Sequence, residues 1–385
     1  MGAATAQKVE GDISSVFVSL SGNERPELPK RFLDLKRKLV AGREKSITAS
    51  WQRLLQQLRV ENQVIAQRRS SIIPQLNFES LDRDLARLRD EIRRRGAAVV
   101  KGVVPVSEAR RFKDDVEAYV MDNPSTKGTV IPLPFSLFLT RIVGFPAHDP
   151  QVFELYWSPS QVRARAHPNL IRTQEALMKI WTSSDPKCPI SLSHPITYAD
   201  RLRIRQPGDG TFTLGPHQDG GSVERWEDDG YGKGRVYDQV FAGRFEDYNA
   251  WDVAPRLDAA TDLYNAPGNC SAFRMFQGWL SMSWTGPERG TLLVHPNLQL
   301  STSYILLRPF FRQIYTGTTE ESLWDPQNWR LASGDEMTSE LHGATPGHGQ
   351  DITLEFHPHL QLDKTMVHIP DIEPGDFVVW HCDGS

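Results

Sequence analysis

The sequence has few cysteines and no long apolar segment. Only three cysteines occur among 385 residues, and no two of them form a C-x-x-C pair. A disulfide scaffold or a structural zinc site is therefore not expected. The longest apolar run, 130–139, contains two prolines and is too short to cross a bilayer. No apolar signal segment stands at the N-terminus. We expect a cytoplasmic protein with no membrane partner.

The sequence also lacks a strong excess of either charge. Its 44 Lys and Arg residues and 48 Asp and Glu residues give a formal net charge of −4. A nucleic-acid-binding protein normally carries a basic patch, so nucleic acid is not expected as a partner. Walker-type phosphate loops, G-x-S-x-G elbows and H-E-x-x-H motifs are absent. The composition is typical of a globular protein.

The N-terminal part of the chain is predicted to be helical and polar. Four apolar residues share one face of a helix that begins near residue 46: Trp51, Leu54, Leu55 and Leu58. Such a face favours a helix packed on the main body, with a basic helix on a membrane surface as the alternative. We assign residues 1–75 to a helical N-terminal extension and residues 76–385 to the main domain.

A helix–strand–helix unit opens the main domain. A helix is predicted over 81–95, and Gly96 stands where a helix stop belongs. A short β-branched strand follows from Ala97, and a second helix is predicted over 108–121.

Beyond residue 190, short strand candidates alternate with loop residues. They cover 201–206, 211–217, 272–284, 290–294, 352–356, 366–369 and 376–381. Many short strands joined by long loops predict a β-sandwich or barrel. Together with the helices they indicate an α+β fold.

The most informative motif is His217-Gln218-Asp219, which Gly220 and Gly221 follow directly. Side chains at positions i and i+2 of a strand point to the same face, so the imidazole and the carboxylate lie side by side. An imidazole and a carboxylate are two of the three ligands of a 2-His-1-carboxylate iron site. The motif is short, and a hydrogen-bonded turn without metal is the competing interpretation.

Several blocks carry a family resemblance. The His217–Asp219 motif, the turn at Gly290 and the strand after Pro374-Gly375-Asp376 resemble the phytanoyl-CoA dioxygenase-like branch of the Fe(II)/2-oxoglutarate-dependent oxygenases. Longer blocks are similar to the YbiU-like family; they cover 198–208, 214–226, 273–281 and 307–311. The resemblance implies a double-stranded β-helix, or jelly-roll, core flanked by helices. It also implies oxidation of a small molecule with Fe(II), 2-oxoglutarate and O2.

The resemblance implies a ligand set as well. Iron(II) would be held by His217, Asp219 and a distal histidine. In the superfamily this histidine usually lies later than His381, and the alignment places it just beyond Ser385. We therefore expect the sequence to be truncated at its C-terminus. In that case His381 supports the site, and the alternative is that His381 has replaced the distal ligand.

The remaining site candidates come from strand alternation and from charge. Polar or aromatic residues that could line a cofactor pocket are Arg205, Gln277, Trp279, Ser281 and Thr291. Arginines that could bind a substrate carboxylate are Arg203, Arg274 and Arg308, and an apolar wall is predicted from Ile352, Leu354 and Phe356. A surface position for each arginine and a core position for the apolar residues are the competing interpretations.

Two other functions remain open. His357, His359 and His368 could form a different metal cluster, which would suit a hydrolase or isomerase that needs no 2-oxoglutarate. The barrel could also be a non-catalytic, cupin-like binding module. An acidic run is expected to be a solvated loop: Glu224, Glu227, Asp228 and Asp229.

Overall fold

The structure is a computed structural model. It describes residues 16–21, 24–126, 152–197, 199, 201–204, 214–266, 270–315 and 319–384. Thirteen α-helices are found there: α1 Val18–Ser21, α2 Lys30–Val40, α3 Glu44–Arg68, α4 Leu81–Arg95, α5 Val106–Asp122, α6 Pro159–Arg165, α7 Pro168–Met178, α8 Tyr231–Gly234, α9 Asp238–Phe241, α10 Ala254–Asp258, α11 Leu298–Leu307, α12 Glu320–Trp324 and α13 Leu362–Thr365. None of these helices is both long enough and apolar enough to cross a membrane.

Twelve short strands accompany the helices in the described part of the chain. They are β1 Gln75–Asn77, β2 Ala97–Lys101, β3 Val152–Phe153, β4 Leu202–Arg203, β5 His217–Gln218, β6 Phe276–Leu280, β7 Leu293–Val294, β8 Phe311–Gln313, β9 Trp329–Leu331, β10 Gln350–Asp351, β11 Val367–His368 and β12 Phe377–His381. The observed architecture is a mixed α+β fold.

One mixed sheet organises the centre of the molecule. Its four strands run in the order β1-β2-β12-β6; β1 is parallel to β2, whereas β12 is antiparallel to both β2 and β6. Four antiparallel pairs surround it: β5 with β10, β7 with β11, β3 with β4, and β8 with β9. The β5–β10 pair carries His217 of the predicted metal site.

The two faces of the central sheet contact different surroundings. Trp380 of β12 lies opposite Gln277 of β6, and His381 lies opposite Phe276. Because neighbouring residues of a strand point to opposite faces, His381 lies on the face opposite to Gln277. The Gln277 face packs beside an apolar cluster that includes Val99 and Val378. The other face meets the main core.

The N-terminal helices are part of the main core. The four apolar residues predicted for the helix face are fully buried on α3: Trp51, Leu54, Leu55 and Leu58. The Trp51 indole stacks on Phe311 with ring centroids 4.4 Å apart and on Tyr304 at 5.5 Å. This confirms the amphipathic helix packed on the body. The boundary predicted at residues 75 and 76 falls within β1, a strand of the central sheet.

The helix–strand–helix unit is also confirmed. It consists of α4, β2 and α5, and Gly96 ends α4 with a backbone φ of 71°. Glycine adopts this left-handed conformation without steric cost. Within the described residues most predicted strands are present, and β6, β7, β11 and β12 are shorter than expected. Residues 205–206 and 211–213 of two predicted strands lie outside the described residues.

The strand predicted over 352–356 is wrong. The hydroxyl of Thr353 accepts a hydrogen bond from the amide of Phe356 at 3.2 Å, and its carbonyl accepts one from the amide of His357 at 2.8 Å. These bonds close a turn, since a threonine can offer the backbone a local partner in place of a strand neighbour. The apolar alternation of this segment therefore does not mark one face of a sheet.

Replacing Trp51 with alanine should destabilise the fold strongly. The substitution removes the buried indole from its stack and leaves a cavity, which typically costs about 3–5 kcal/mol. Urea denaturation measures the loss in the free energy of unfolding. Val60→Ala on the same helix is the control, because Val60 is 61% exposed. Equal unfolding midpoints for the two variants would contradict the packing described for α3.

Candidate metal centre

The imidazole of His217 and the carboxylate of Asp219 converge. His217 Nδ1 lies 2.7 Å from the carbonyl oxygen of Gly215, to which it can only donate. This bond places a proton on Nδ1, so that in the neutral imidazole the lone pair belongs to Nε2. Nε2 lies 3.6 Å from Asp219 Oδ1. Both side chains are partly exposed, so the space between them can be reached from solvent.

Gln277 holds the second oxygen of the Asp219 carboxylate. Its Nε2 donates to Asp219 Oδ2 at 2.8 Å, so that Oδ1 remains on the side of His217. Gln277 lies on β6, and the bond therefore connects the His217 motif to the central sheet. The Oε1 atom of Gln277 and the hydroxyl of Thr291 are buried and have no hydrogen-bond partner among the described residues.

The donor set fits a first-row divalent metal ion. A neutral imidazole Nε2 and a carboxylate oxygen are ligands that Fe(II) accepts, and an Nδ1–H bond to a backbone carbonyl is the usual support of a metal-binding histidine. Ligands about 2.1 Å from an ion and at right angles lie about 3 Å apart. The observed 3.6 Å between the two ligand atoms is close to that value.

Phe17 packs against His217 from the far N-terminus. The two ring centroids are 4.7 Å apart, and Phe17 is only 5% exposed. A Cβ atom at Gly349 would lie 2.3 Å from the Phe17 ring, so only glycine at this position allows the close approach. The aromatic ring therefore covers one side of the imidazole.

Asp351 fixes that N-terminal segment beside the site. It lies directly across from His217 in the β5–β10 pair, so both side chains share one face of the pair. Its carboxylate accepts hydrogen bonds from Ser19 Oγ at 2.6 Å and from Arg25 Nη2 at 2.8 Å. Ser19 and Arg25 are thereby held beside His217.

A buried network around Asp383 lies behind the site. The Asp383 carboxylate accepts from Arg225 Nη1 at 2.9 Å, Arg256 Nη2 at 2.5 Å, and the hydroxyls of Tyr237 and Tyr248 at 3.2 Å each. We call these five residues the Asp383 network. All five are buried. Burial alone would raise the pKa of Asp383, but Arg256 and Arg225 outweigh it and hold the pKa well below its usual value.

The Asp383 network is bonded directly to the His217 motif. Arg225 Nη2 donates to the backbone carbonyl of Asp219 at 3.0 Å. Gln218 Nε2 donates to the backbone carbonyl of Asp383 at the same distance. The motif and the segment that follows β12 are therefore fixed relative to each other.

Ser281 and Trp279 lie away from Asp219. The Ser281 hydroxyl donates to the carbonyl of Ser283 at 2.6 Å and thus shapes a turn. Trp279 is packed in the apolar cluster with Val378 and Ile369. Of the predicted cofactor residues, only Gln277 is seen in contact with the pair. Arg205 lies outside the described residues.

The predicted substrate residues are scattered. Arg203 is exposed on β4, and Arg308 donates to the carbonyl of Phe311 at 3.1 Å in the helical core. Ile352 is buried, whereas Leu354 is 47% exposed, so the predicted apolar wall is wrong as a single surface. The Arg25 guanidinium lies 5.0 Å from the centre of the Phe356 ring. Arg274 lines a cleft that begins at Gly220.

His381 has no nitrogen left for a metal. Nε2 donates to the carbonyl of Ala250 at 3.0 Å, and Nδ1 accepts from the amide of Asp383 at 3.0 Å. The ring stacks on Trp181 with centroids 4.7 Å apart, on the sheet face opposite to Gln277. Burial lowers the pKa of His381 to about 3, which keeps it neutral. This favours the supporting role over the substitute-ligand role.

The neighbours of His381 do not complete a metal site either. Its ring and the Cys382 and Asp383 side chains bring ligand atoms within 4.8 Å of one another, the one such group among the described residues. The Asp383 carboxylate is already held by two arginines.

The second predicted histidine cluster does not form. His359 Nδ1 lies 3.0 Å from the hydroxyl of Tyr304, and Nε2 lies 3.0 Å from the carbonyl of Leu323. Both nitrogens are thus occupied. His368 lies on β11, which pairs with β7, whereas both nitrogens of the buried His357 have no partner among the described residues.

The acidic run is not uniformly solvated, contrary to expectation. Glu224 is fully buried and accepts from the amides of Ser222 at 2.8 Å and Leu263 at 3.2 Å. Burial raises the pKa of Glu224. Glu227 is also buried and accepts from Tyr264, whereas Asp228 and Asp229 are exposed.

Sequence reasoning missed Phe17, Asp351, Arg225 and Asp383. Phe17, Asp351 and Asp383 lie more than a hundred positions from the motif that they contact. Arg225 is close in sequence, but it bonds to the backbone carbonyl of Asp219. The one local signal is Arg225, which follows the motif closely and lies with Glu224 between the apolar residues Val223 and Trp226.

The fold and the site together define a mixed α+β protein with a histidine–aspartate pair supported by the central sheet. The chain belongs to the Gig2-like family, whose model matches residues 26–385. It is 32% identical over 299 residues to the Escherichia coli (strain K12) protein YbiU, which is named as uncharacterised. The match covers 77% of this chain and 63% of YbiU, so the chain spans under two thirds of that relative.

Two solved structures extend the comparison. GlcNAc Inducible Gene 2 from Candida albicans is 31% identical with a TM-score of 0.77, covering 94% of this chain and 73% of that one. A Salmonella typhimurium LT2 protein, provisionally named an oxidoreductase, is 28% identical with a TM-score of 0.72, covering 94% of this chain and 81% of its own. The resemblance to a YbiU-like family is confirmed at the family level.

Replacing Asp383 with asparagine should destabilise the protein by about 3–5 kcal/mol at neutral pH, because two buried guanidinium groups lose their counter-ion. The pKa of Asp383 is lowered in the folded state, so its contribution is complete above the unfolded pKa of about 3.9 and is lost as pH falls. Urea denaturation from pH 7 to about pH 3 should show the gap between variant and wild type narrowing below about pH 4.

The exposed Asp335 offers a control for that experiment. Asp335→Asn should leave the free energy of unfolding within about 0.5 kcal/mol of wild type throughout. A gap for Asp383→Asn that stayed constant down to the lowest pH would show that the charge of Asp383 does not stabilise the network.

Proposed function

We propose that this protein is a non-haem Fe(II)- and 2-oxoglutarate-dependent oxygenase that oxidises a C–H bond of a small molecule. One observation carries the proposal. The free Nε2 of His217 faces Asp219 Oδ1 at 3.6 Å, while the other polar atom of each side chain is held by Gly215 or Gln277. The oxidoreductase name of the Salmonella neighbour points in the same direction.

His217 and Asp219 would hold the iron, together with the distal histidine that the family resemblance implies. Bound iron would supply activation of O2 coupled to oxidative decarboxylation of 2-oxoglutarate. For hydroxylation the balance is R–H + 2-oxoglutarate + O2 → R–OH + succinate + CO2. The C–H bond of the substrate and the C1–C2 bond of 2-oxoglutarate would break. One oxygen atom of O2 would enter the hydroxyl of R–OH, the other would enter the new carboxylate of succinate, and the C1 carboxylate would leave as CO2.

The chain's own residues prepare that site. The Gly215 carbonyl selects the tautomer of His217, and Gln277 sets the rotation of the Asp219 carboxylate. Arg225 fixes the backbone at Asp219, and Phe17 covers one face of the imidazole. Ligands held before the metal arrives lose little conformational freedom on binding it. The unpartnered Oε1 of Gln277 would offer 2-oxoglutarate a polar atom beside the pair.

We also propose that the strands form a double-stranded β-helix. The central sheet would supply one layer, and the β5–β10 and β7–β11 pairs would supply strands of the other. The bond between Gln277 of β6 and Asp219, next to β5, joins the two layers in support of this arrangement. A small molecule would then enter between the layers.

Two rival functions have less support. A hydrolase or isomerase built on His357 and His359 would need free ligand nitrogens, and both nitrogens of His359 are engaged. A binding module without catalysis would not require that Nδ1 of His217 be held by Gly215 so that Nε2 faces the Asp219 carboxylate. The charge-transfer experiment with Fe(II) and 2-oxoglutarate, described next, separates both rivals from the oxygenase.

Replacing His217 with alanine should abolish tight iron binding and leave the fold intact. Under anaerobic conditions, Fe(II) and 2-oxoglutarate added to the full-length wild-type protein should give a visible metal-to-ligand charge-transfer band. The variant should lack this band because one of its ligands is gone. Circular dichroism checks that the variant is folded.

His194→Ala is the matched control, since His194 is exposed and bonds only to nearby serines. This variant should keep the full band. Equal iron stoichiometry in the wild type and in His217→Ala would rule out the proposed metal site.

A further inference from the structure

The residue that covers His217 belongs to a short N-terminal segment. Phe17 packs on the imidazole with ring centroids 4.7 Å apart, and it directly precedes α1, a helix of four residues. A helix this short has little stability of its own, because forming the first turn fixes several residues for one hydrogen bond. Contacts with the rest of the protein must therefore hold Phe17 in place.

Gly349 provides the space for the Phe17 ring. Its amide donates to the backbone carbonyl of Val16 at 2.7 Å, and a Cβ atom at this position would lie 2.3 Å from Phe17 Cε1. Gly349 directly precedes β10, and Asp351 of that strand lies across from His217. Phe17 is thus bound to the same strand pair that carries the candidate metal ligand.

Asp351 holds the segment at a second point. Ser19 Oγ donates to Asp351 Oδ1 at 2.6 Å, and Arg25 Nη2 donates to Oδ2 at 2.8 Å. Ser19 is exposed and the Arg25 side chain is 25% exposed, so water competes for both donors. Bonds of this kind open locally far more often than the protein unfolds.

The helix that follows is fixed much more firmly. Phe32 and Lys36 of α2 are fully buried, and Lys36 Nζ donates to the backbone carbonyl of Glu340 at 2.9 Å. Helix α2 therefore stays with the core when the bonds of Ser19 break. An opening of the contact between Phe17 and His217 would leave the core unchanged.

We propose that Phe17 is a latched cover of the His217–Asp219 pair, and that the hydrogen bond from Ser19 to Asp351 is its latch. While the latch is closed, the Phe17 ring occupies one face of the imidazole. When the latch opens, that face becomes available to a second molecule that lies against the imidazole. The cover stands on the contacts above, whereas its use in admitting a substrate rests on the proposed function.

The first experiment measures the reactivity of His217 in the metal-free protein. Diethyl pyrocarbonate modifies the unprotonated nitrogen of a neutral imidazole, and mass spectrometry locates the product on His217. Ser19→Ala should raise the modification rate about five- to ten-fold, the effect of losing one hydrogen bond to a charged group at a partly exposed site. Phe17→Ala should raise the rate at least as much, because the ring itself is gone.

Two controls accompany this measurement. Ser19→Thr keeps the hydroxyl and should react like wild type, which separates the hydrogen bond from any other effect of the substitution. His194 is exposed and should react at the same rate in every variant, so it serves as the internal reference. Circular dichroism checks that each variant is folded.

The second experiment tests whether the latch and the cover open together. Amide hydrogen exchange at Gly349 reports the bond from this amide to the carbonyl of Val16. Ser19→Ala should speed this exchange by a factor similar to its effect on His217, although the substitution lies three residues from Val16. Ser19→Thr should again match wild type.

Two results would overturn the inference. One is a modification rate of His217 that is unchanged in Ser19→Ala or in Phe17→Ala, and the other is unchanged exchange at Gly349 in Ser19→Ala. Failure of iron to bind would instead contradict the proposed function and would leave both metal-free measurements valid.

Discussion

The site depends on one buried carboxylate, that of Asp383. Two guanidinium groups and two tyrosine hydroxyls surround it without contact with water. A buried ionic network of this kind contributes little net stability compared with apolar packing, because each charge loses its hydration. The position of the Asp383 network gives it a role besides stability. Arg225 donates both to the Asp383 carboxylate and to the backbone carbonyl of Asp219. The buried network therefore also fixes the backbone position of the candidate ligand Asp219.

Two further hydrogen bonds orient the side chains of His217 and Asp219. Gly215 and Gln277 each hold one polar atom of the pair and leave the other free. Gly220 and Gly221 follow the pair with φ angles of 86° and 89°, a conformation that lets the chain turn away at once. The result is a nitrogen and an oxygen that face one another on a rigid support. In the proposed function, these two atoms are already oriented to bind a metal ion.

Much of this organisation could be predicted because it is local. The helix that ends at Gly96 and the strand that follows it are specified by neighbouring residues. The convergence of His217 and Asp219 follows from the two-residue period of extended chain, and it holds although β5 itself ends at Gln218.

What could not be predicted depends on residues far apart in the chain. Nothing near Phe17 or Asp351 indicates that they meet beside His217. The four partners of Asp383 lie between residues 225 and 256, more than a hundred positions before it. Alternation misled at Ile352 because Thr353 closes a turn there. The burial of Glu224 was missed because a cluster of acidic residues ordinarily lies in solvent, whereas two backbone amides solvate this one.

The central claim is that the pair of His217 and Asp219 supports oxidation driven by 2-oxoglutarate. The most direct measurement follows 2-oxoglutarate, succinate and dissolved O2 together in the full-length protein loaded with Fe(II). The account predicts that succinate forms in equal amount to the 2-oxoglutarate consumed, and that its formation stops when iron is chelated or O2 is removed. Conversion of a substrate without 2-oxoglutarate, or 2-oxoglutarate left intact in the presence of iron, O2 and a broad set of organic acids, would contradict it.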